Sequence, residues 1–361
     1  MNLFGHISMD PINRHDIKED VALAIARSGA DFSSLRGKRI LVTGGTGFFG
    51  VWMLNALGQI MGSLGDDLEI TVITRDSRTF LWHYPEFKSS RNLRFLDGDI
   101  RSIDLAGESF SHLIHMATTS ANETFSKERQ INKIDLLYAG TRNLLEQLGG
   151  DLEDMLFTSS GVVYGPPLDD SAFHESQLTR PDNLRSDSAL AYGKLLAEYL
   201  VNYFSREFGY KYNIARCFSF LGQGLPLDIH YAAGNFIADA VNSRPIRILG
   251  SGEERRSYMY IGDAVAWLLR LLVEPTDDAY NLGSDKAMTV LELAQIVAKV
   301  VGRPDQVEVL GQPLSEGNFK RQFYVPSTNK IRSKFPGLEG WTTVSEAVGK
   351  MLRVNGSLLS T

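Results

Sequence analysis

The chain has 361 residues, 43% hydrophobic and 22% charged, which suits a soluble globular protein with a large core, built as one elaborated domain or two. Its net charge of −6 argues against a nucleic-acid-binding surface, and no apolar run approaches the roughly 20 residues of a membrane span. One cysteine, Cys217, excludes an intramolecular disulfide and fits a reducing cytoplasm; the N-terminal stretch carries Asp10, Asp16, Glu19 and Asp20 and no signal-peptide core, so secretion is not expected.

Residues 16–28 space Ile17, Val21, Ala24 and Ile25 at helical intervals, which predicts an added helix or arm ahead of the first strand. Ile40, Leu41 and Val42 then form a short apolar run that stops at Thr-Gly-Gly-Thr-Gly-Phe-Phe-Gly (43–50), and a new apolar pattern begins at Val51. This reads as a buried strand, a tight turn and a helix over 51–61, with Gly44, Gly47 and Gly50 three apart. In that setting one glycine makes the turn, one lets the backbone approach a pyrophosphate, and one allows close helix–strand packing. The helix N-terminus offers free N–H groups and a positive dipole end to the phosphates, so a dinucleotide is the expected ligand.

Further apolar runs at 69–73, 93–96, 112–116 and 155–158 alternate with helical patterns such as 134–148. Strands alternating with helices imply an α/β fold, a doubly wound parallel sheet covered on both faces. A helix over 188–208 and a strand over 213–217 continue the series. After about 220 the rhythm loosens: Gly222, Gly224, Pro226 and Gly234 mark a long loop region, followed by helices at 263–273 and 289–301. A smaller C-terminal lobe is expected there.

Ligands of open α/β sheets bind outside the carboxyl ends of the strands, so the strand ends carry the chemistry. The second expected strand ends at Thr74, Arg75 and Asp76. An acidic residue there would favour NAD; Arg75 leans towards the 2′-phosphate of NADP, and is equally compatible with a solvated or adenine-stacked arginine. Asp99 ends the third strand, as an acceptor for the adenine amino group or as a turn former. Met116, Ala117 and Thr118 close the fourth, and His115 on that apolar strand reads as a core histidine rather than a catalyst. Ser160 ends the fifth and could polarise a sugar hydroxyl or ketone. Tyr192 and Lys194 open the next helix; a lysine beside a tyrosine lowers the phenol pKa and makes it a usable general base.

Taken together, Thr-Gly-Gly-Thr-Gly-Phe-Phe-Gly (43–50), Gly-Asp-Ile (98–100), Ser-Ser-Gly-Val-Val-Tyr-Gly (159–165), Lys-Leu-Leu-Ala-Glu (194–198), Ala-Arg-Cys-Phe-Ser-Phe-Leu-Gly (215–222), Arg-Ser-Tyr-Met-Tyr-Ile-Gly-Asp (256–263) and Tyr-Asn-Leu-Gly-Ser (280–284) resemble the extended short-chain dehydrogenase/reductases, in their nucleotide-sugar epimerase/dehydratase group. The resemblance spans roughly residues 38–350. It implies a Rossmann domain over 37–220 that holds NAD or NADP and receives later segments, a mainly substrate-binding α/β lobe over 221–361, and an N-terminal extension over 1–36. Expected cofactor contacts are Gly44, Thr46, Gly47, Phe48, Phe49 and Gly50 in the turn. Thr74, Arg75, Asp99, Ile100, Met116, Ala117 and Thr118 at the strand ends, with Lys194 and Cys217, complete them. Ser160 and Lys194 match the catalytic serine/threonine and lysine, and Tyr192 is expected as the catalytic tyrosine. Ser219, Asn235, Arg256 and Arg321 are expected on a nucleoside-diphosphate sugar, and no metal is implied. The group commonly dimerises through four helices, here 134–148 and 188–208.

Two departures stand out. The family's Tyr-x-x-x-Lys puts both side chains on one helical face, but four residues before Lys194 stands Leu190, and the nearest tyrosine, Tyr192, is only two before it. A shortened helix start would keep Tyr192 as the base; otherwise the tyrosine is absent. At 161–162, where the family's 4,6-dehydratases carry an Asp-Glu pair, this chain has Gly161 and Val162, neither able to move a proton. The expectation is therefore C4 epimerisation or 4-ketoreduction by hydride transfer. The alternatives are a 4,6-dehydratase using other groups, Glu175 or His174 among them, and a catalytically impaired NAD(P)-binding regulatory or scaffold protein.

Overall fold

Ile40, Leu41 and Val42 are fully buried, and alternation along the strand sends them to opposite faces of a sheet. The computed structural model describes residues 14–119, 129–227, 231–312 and 323–354. Its central sheet holds β1 (Lys38–Thr43), β2 (Leu68–Thr74), β3 (Leu93–Asp97), β4 (His112–His115), β5 (Asp154–Ser160), β6 (Lys211–Cys217) and β7 (Asp278–Leu282). All seven run parallel in the order β7-β6-β5-β4-β1-β2-β3, a doubly wound Rossmann sheet whose order reverses between β1 and β4. The helices are α1 (Arg14–Ser28), α2 (Phe48–Ser63), α3 (Ser77–His83), α4 (Ile131–Leu148), α5 (Ala189–Phe208), α6 (Ala232–Val241), α7 (Ile261–Val273), α8 (Val290–Val300), α9 (Asn329–Lys334) and α10 (Val344–Val354). Among the described residues, no helix is long and apolar enough to cross a membrane.

Because the sheet is parallel, both faces must be covered. Ile40, Val42, Val72 and Leu156 pack on one side with Trp52 and Leu57 of α2 and Val265 and Leu268 of α7. Leu41, Leu113, Met155 and Phe157 pack on the other with Leu144 and Leu148 of α4 and Val201 and Phe204 of α5. The added arm, α1, lies on the first side. Its buried Asp20 accepts hydrogen bonds from Tyr260 Oη at 2.5 Å and Lys350 Nζ at 2.7 Å, and Arg27 pairs with buried Asp263 at 3.2 Å. The N-terminal helix is thereby clamped to α7 and α10.

Two elements depart from the sequence expectation. The loop expected around Gly234 is helical in α6, because Phe236, Ile237 and Ala240 form a buried stripe. Gly234 is there for close approach: a Cβ would lie 2.3 Å from the Pro226 carbonyl oxygen. The seventh strand, Asp-Ala-Tyr-Asn-Leu, is too short and polar to announce itself. Asn281 is buried in it because its Oδ1 accepts from Tyr164 and its Nδ2 donates to the Phe173 carbonyl. Residues 261–282 thus return to the central sheet after the boundary expected at 220. Beyond it, short strands pair Arg255–Arg256 with Met288–Thr289 and with Phe323–Tyr324, bringing the latter back towards β5 and β6.

Candidate functional site

The glycine turn lies at the switch point. Gly44 has φ +71°, the left-handed region, and a Cβ on it would meet the Met116 backbone at 2.6 Å. A Cβ on Gly50 would lie 2.3 Å from the Gly44 carbonyl oxygen. Both glycines are demanded by the protein itself. Gly47 is different: it is exposed, its φ is −88°, and a Cβ would meet only the Gly44 oxygen at an ordinary 3.5 Å. No protein contact requires glycine at 47, whereas a pyrophosphate at the start of α2 does, so the cradle fits a dinucleotide. Thr46 lies 3.4 Å from Thr74 across the turn, and Phe49 packs edge-on against Phe220 with centroids 4.8 Å apart.

The β1 and β4 ends are joined by one hydrogen-bond chain. The Ala117 N–H donates to Thr43 Oγ1 at 3.2 Å, Thr43 Oγ1 lies 2.6 Å from His115 Nδ1, His115 Nε2 lies 2.9 Å from Thr141 Oγ1, and Thr141 donates to the Leu137 carbonyl at 2.5 Å. With Thr141's proton spent on Leu137, the tautomer that satisfies the chain carries its proton on Nε2. Burial, and secondarily the Lys194 charge, push His115 down to about 3, so it stays neutral and structural. Met116 is buried, Ala117 partly so, and Thr118 is exposed.

Beyond the end of β2, Asp76 caps α3, accepting from Thr79 N at 2.9 Å and Thr79 Oγ1 at 2.6 Å, which holds its pKa below the usual carboxylate range. Asp99 is held low chiefly by Arg101, with Arg75 also within electrostatic reach. The Ile100 side chain packs on Gly140 of α4, so only its backbone faces outward.

On β5, alternation separates the two serines. Ser159 donates to Glu198 at 2.5 Å, and Glu198 forms a two-pronged pair with Arg216 at 3.0 and 2.7 Å. Ser160 faces the crevice, partly exposed, with its Oγ accepting from Val162 N. Lys194 is buried and donates to the Thr158 carbonyl at 2.7 Å, its Nζ 5.0 Å above the Phe157 ring. Burial pushes it down to about 8, while Cys217 opposes that, its own thiol raised to about 12 by burial. Tyr192 donates its hydroxyl to the Pro181 carbonyl at 2.9 Å, tying α5 to the loop ahead of it. Glu175 accepts the Asn281 N–H at 2.8 Å, and His174 is exposed.

In the lobe, Ser219 and Asn235 are partly buried, on the segment after β6 and on α6. Arg256 stands on a short strand with its guanidinium 5.8 Å from the Tyr324 ring centroid. Arg321 lies outside the described residues. Tyr324, which sequence reasoning did not single out, also stands at the β5 strand end. Its hydroxyl lies 2.6 Å from where a Cβ on Gly161 would be, and its ring is 4.7 Å from that of Phe218. Nothing local in Phe-Tyr-Val-Pro signals this, because strand pairing some 160 residues downstream brings it there.

A doubly wound sheet with a glycine turn at its switch point, and a serine and a buried lysine at the neighbouring strand end, defines a Rossmann dinucleotide-binding protein. Residues 40–283 match the model of the NAD dependent epimerase/dehydratase family, and the chain belongs to that family. It is 28% identical over 279 residues to UDP-glucuronic acid decarboxylase 1 of Arabidopsis thaliana, covering 75% of this chain and 60% of that one. It therefore spans about three fifths of the length of that relative and of others in the same plant. A UDP-glucuronic acid 4-epimerase from Bacillus cereus superposes with a TM-score of 0.73 at 19% identity, covering 89% of this chain and 99% of that one. A dTDP-glucose 4,6-dehydratase from Bacillus anthracis gives 0.69 at 18%, covering 88% and 96%.

The glycines separate stability from binding. Gly50→Ala should destabilise by about 2 kcal/mol or more through the clash with Gly44. Gly47→Ala should cost less than about 1 kcal/mol yet weaken dinucleotide binding about tenfold or more. Urea unfolding and fluorescence titration with NADH and NADPH check both; unchanged binding in Gly47→Ala would overturn the ligand-facing assignment.

Lys194 gives a pH signature. Its folded value of about 8 lies below the ordinary 10.5, so between these the unfolded chain holds a proton the folded one has released. Stability from this group is complete above about 10.5 and lost as pH falls to about 8. In cofactor-free protein, Lys194→Met should flatten the rise across that window by up to about 3 kcal/mol, measured by urea unfolding at each pH.

Proposed function

We propose that this chain modifies nucleoside-diphosphate sugars by hydride transfer at sugar C4, as a C4 epimerase or 4-ketoreductase. The observation that carries the reading is the hydroxyl of Ser160 at the end of the strand whose Thr158 carbonyl buried Lys194 holds, next to a loop at 161–162 with no acidic side chain. NAD(P), held by the glycine turn, would supply or accept the hydride. Ser160 holds the C4 oxygen and polarises it, and the Lys194 charge favours negative charge on neighbouring oxygens. Arg256 supplies a cation for the diphosphate, with Ser219 and Asn235 on the sugar-nucleotide side of the lobe.

The related proteins support this reading by their own names: a UDP-glucuronic acid decarboxylase and structures of UDP-sugar 4-epimerases and dTDP-glucose 4,6-dehydratases. Gly161 and Val162 favour epimerisation or ketoreduction over dehydration within that set. The test is incubation with NAD+ or NADP+ and UDP-, GDP-, CDP- and dTDP-sugars, followed by product analysis, since an epimerase recycles its hydride without net absorbance change. One sugar is expected to be converted, with kcat about 100-fold lower in Ser160→Ala. Consumption of none would leave a non-catalytic NAD(P)-binding protein; a 4-keto-6-deoxy product would make it a dehydratase.

We also propose a homodimer through α4 and α5. Leu196, Tyr199 and Tyr203 lie three to four residues apart on α5 and are 39%, 63% and 49% exposed, an apolar row on the surface of a helix already packed on α4. A two-fold axis would join the two pairs into a four-helix interface. Sedimentation should show a dimer that Tyr199→Glu/Tyr203→Glu converts to monomer; a monomeric parent protein would overturn it.

A further inference from the structure

We propose that Tyr324, rather than Tyr192, is the proton-carrying phenol of this site: its hydroxyl converges with that of Ser160 on the crevice where the sugar C4 oxygen would lie. The inference rests on the reading of the site as a C4 hydride-transfer centre.

The geometry has three parts. First, the Tyr324 hydroxyl lies against Gly161, the residue next to Ser160, and Tyr324 and Ser160 are both only partly buried. Second, a Cβ built on Gly161 would lie 2.6 Å from Tyr324 Oη and 2.7 Å from Phe218, so the phenol fills the space that a side chain at 161 would occupy. Third, Tyr192 donates its only proton to the Pro181 carbonyl, and it stands two residues before Lys194 on α5, about 200° around the helix. Tyr324 is instead held from outside the helix, by pairing of its strand with Arg255–Arg256 and by its rings with Phe218 and Phe173.

The proton balance is simple. In the reducing direction, a bound dihydronicotinamide would supply the hydride for the new C–H bond at sugar C4. The C4=O π pair becomes an O–H bond with the Tyr324 proton, and the phenolate recovers a proton from water. By microscopic reversibility the same phenolate accepts the hydroxyl proton when C4 is oxidised. Burial raises the Tyr324 pKa, so the phenol is protonated at neutral pH, ready for the reducing direction. Arg256 near its ring and the Ser160 hydrogen bond both oppose that rise and stabilise the phenolate once formed.

The experiment uses the full chain with NAD+ or NADP+ and the same panel of UDP-, GDP-, CDP- and dTDP-sugars as probes, with UDP-glucose and UDP for the binding measurement. Tyr324→Phe is expected to lower kcat about 100-fold or more with KM within about threefold, and to abolish the rise of the oxidative rate with pH. Should Tyr324→Phe fold poorly, 3-fluorotyrosine at 324 keeps the packing, and its more acidic phenol should move the pH profile to lower pH. Independently of turnover, calorimetry should show that Tyr324→Phe reduces the preference for UDP-glucose over UDP about threefold, leaving UDP itself unchanged. If the parent converts a probe while Tyr324→Phe keeps its kcat, pH profile and binding preference, the phenol assignment falls and the C4 reading stands. If the parent converts none of the probes, the C4 reading falls and the phenol role with it.

Discussion

The crevice depends on how closely the turn after β1 approaches the end of β4. The Met116 backbone sits where a Gly44 side chain would be, and the Thr43–His115–Thr141 chain sets that spacing from the buried side. A neutral imidazole suits this task because it donates once and accepts once, matching a threonine on either side. A protonated ring would force Thr43 to accept twice and leave its own proton without an acceptor among apolar neighbours. Complete burial and the Lys194 charge keep the ring neutral. Strand spacing, turn geometry and the histidine's protonation state are therefore one constraint, and the cradle inherits its width from it.

The same economy of charge holds one strand over. Three titratable groups lie together behind the crevice: His115, Lys194 and Cys217. Burial drives each towards its neutral form, but only Lys194 ends near physiological pH. It is the group whose charge can respond to a ligand. Beneath it, Glu198 and Arg216 neutralise one another and fasten Ser159. Alternation along β5 then leaves Ser160 facing outward, with the ion pair fastening the strand behind it.

Much of this was legible in the residues. The apolar runs marked six of the seven sheet strands because parallel strands are buried on both faces, and the glycine spacing marked the turn because two of its glycines admit no side chain. Asp76 sits one position beyond Arg75, where it caps α3. What was not legible depends on contacts distant in sequence. The strand at 278–282 is buried through the side-chain bonds of Asn281, which no periodicity reveals. The hydrogen bond of Tyr192 to the Pro181 carbonyl, eleven residues earlier, is likewise invisible in the spacing. Tyr324 reaches Ser160 only through pairing with residues near 255.

The loop at 161–162 and the phenol of Tyr324 share one volume in the structure. A side chain at 161 and the Tyr324 hydroxyl compete for the same volume, since a Cβ there would sit 2.6 Å from the oxygen. An acidic residue at 161 would have to expel the phenol or bury a carboxylate against the Phe218 ring, and either costs more than the glycine. The absence of an acid–base pair in the loop and the arrival of a phenol from the lobe are thus conditions for one another. That phenol rides on the strand beside Arg256, so the lobe that is expected to hold the diphosphate also carries the hydroxyl facing Ser160. Docking of the lobe against the strand end sets both at once, and the 324 hydroxyl is fixed relative to Ser160 by the same short strands that fix Arg256.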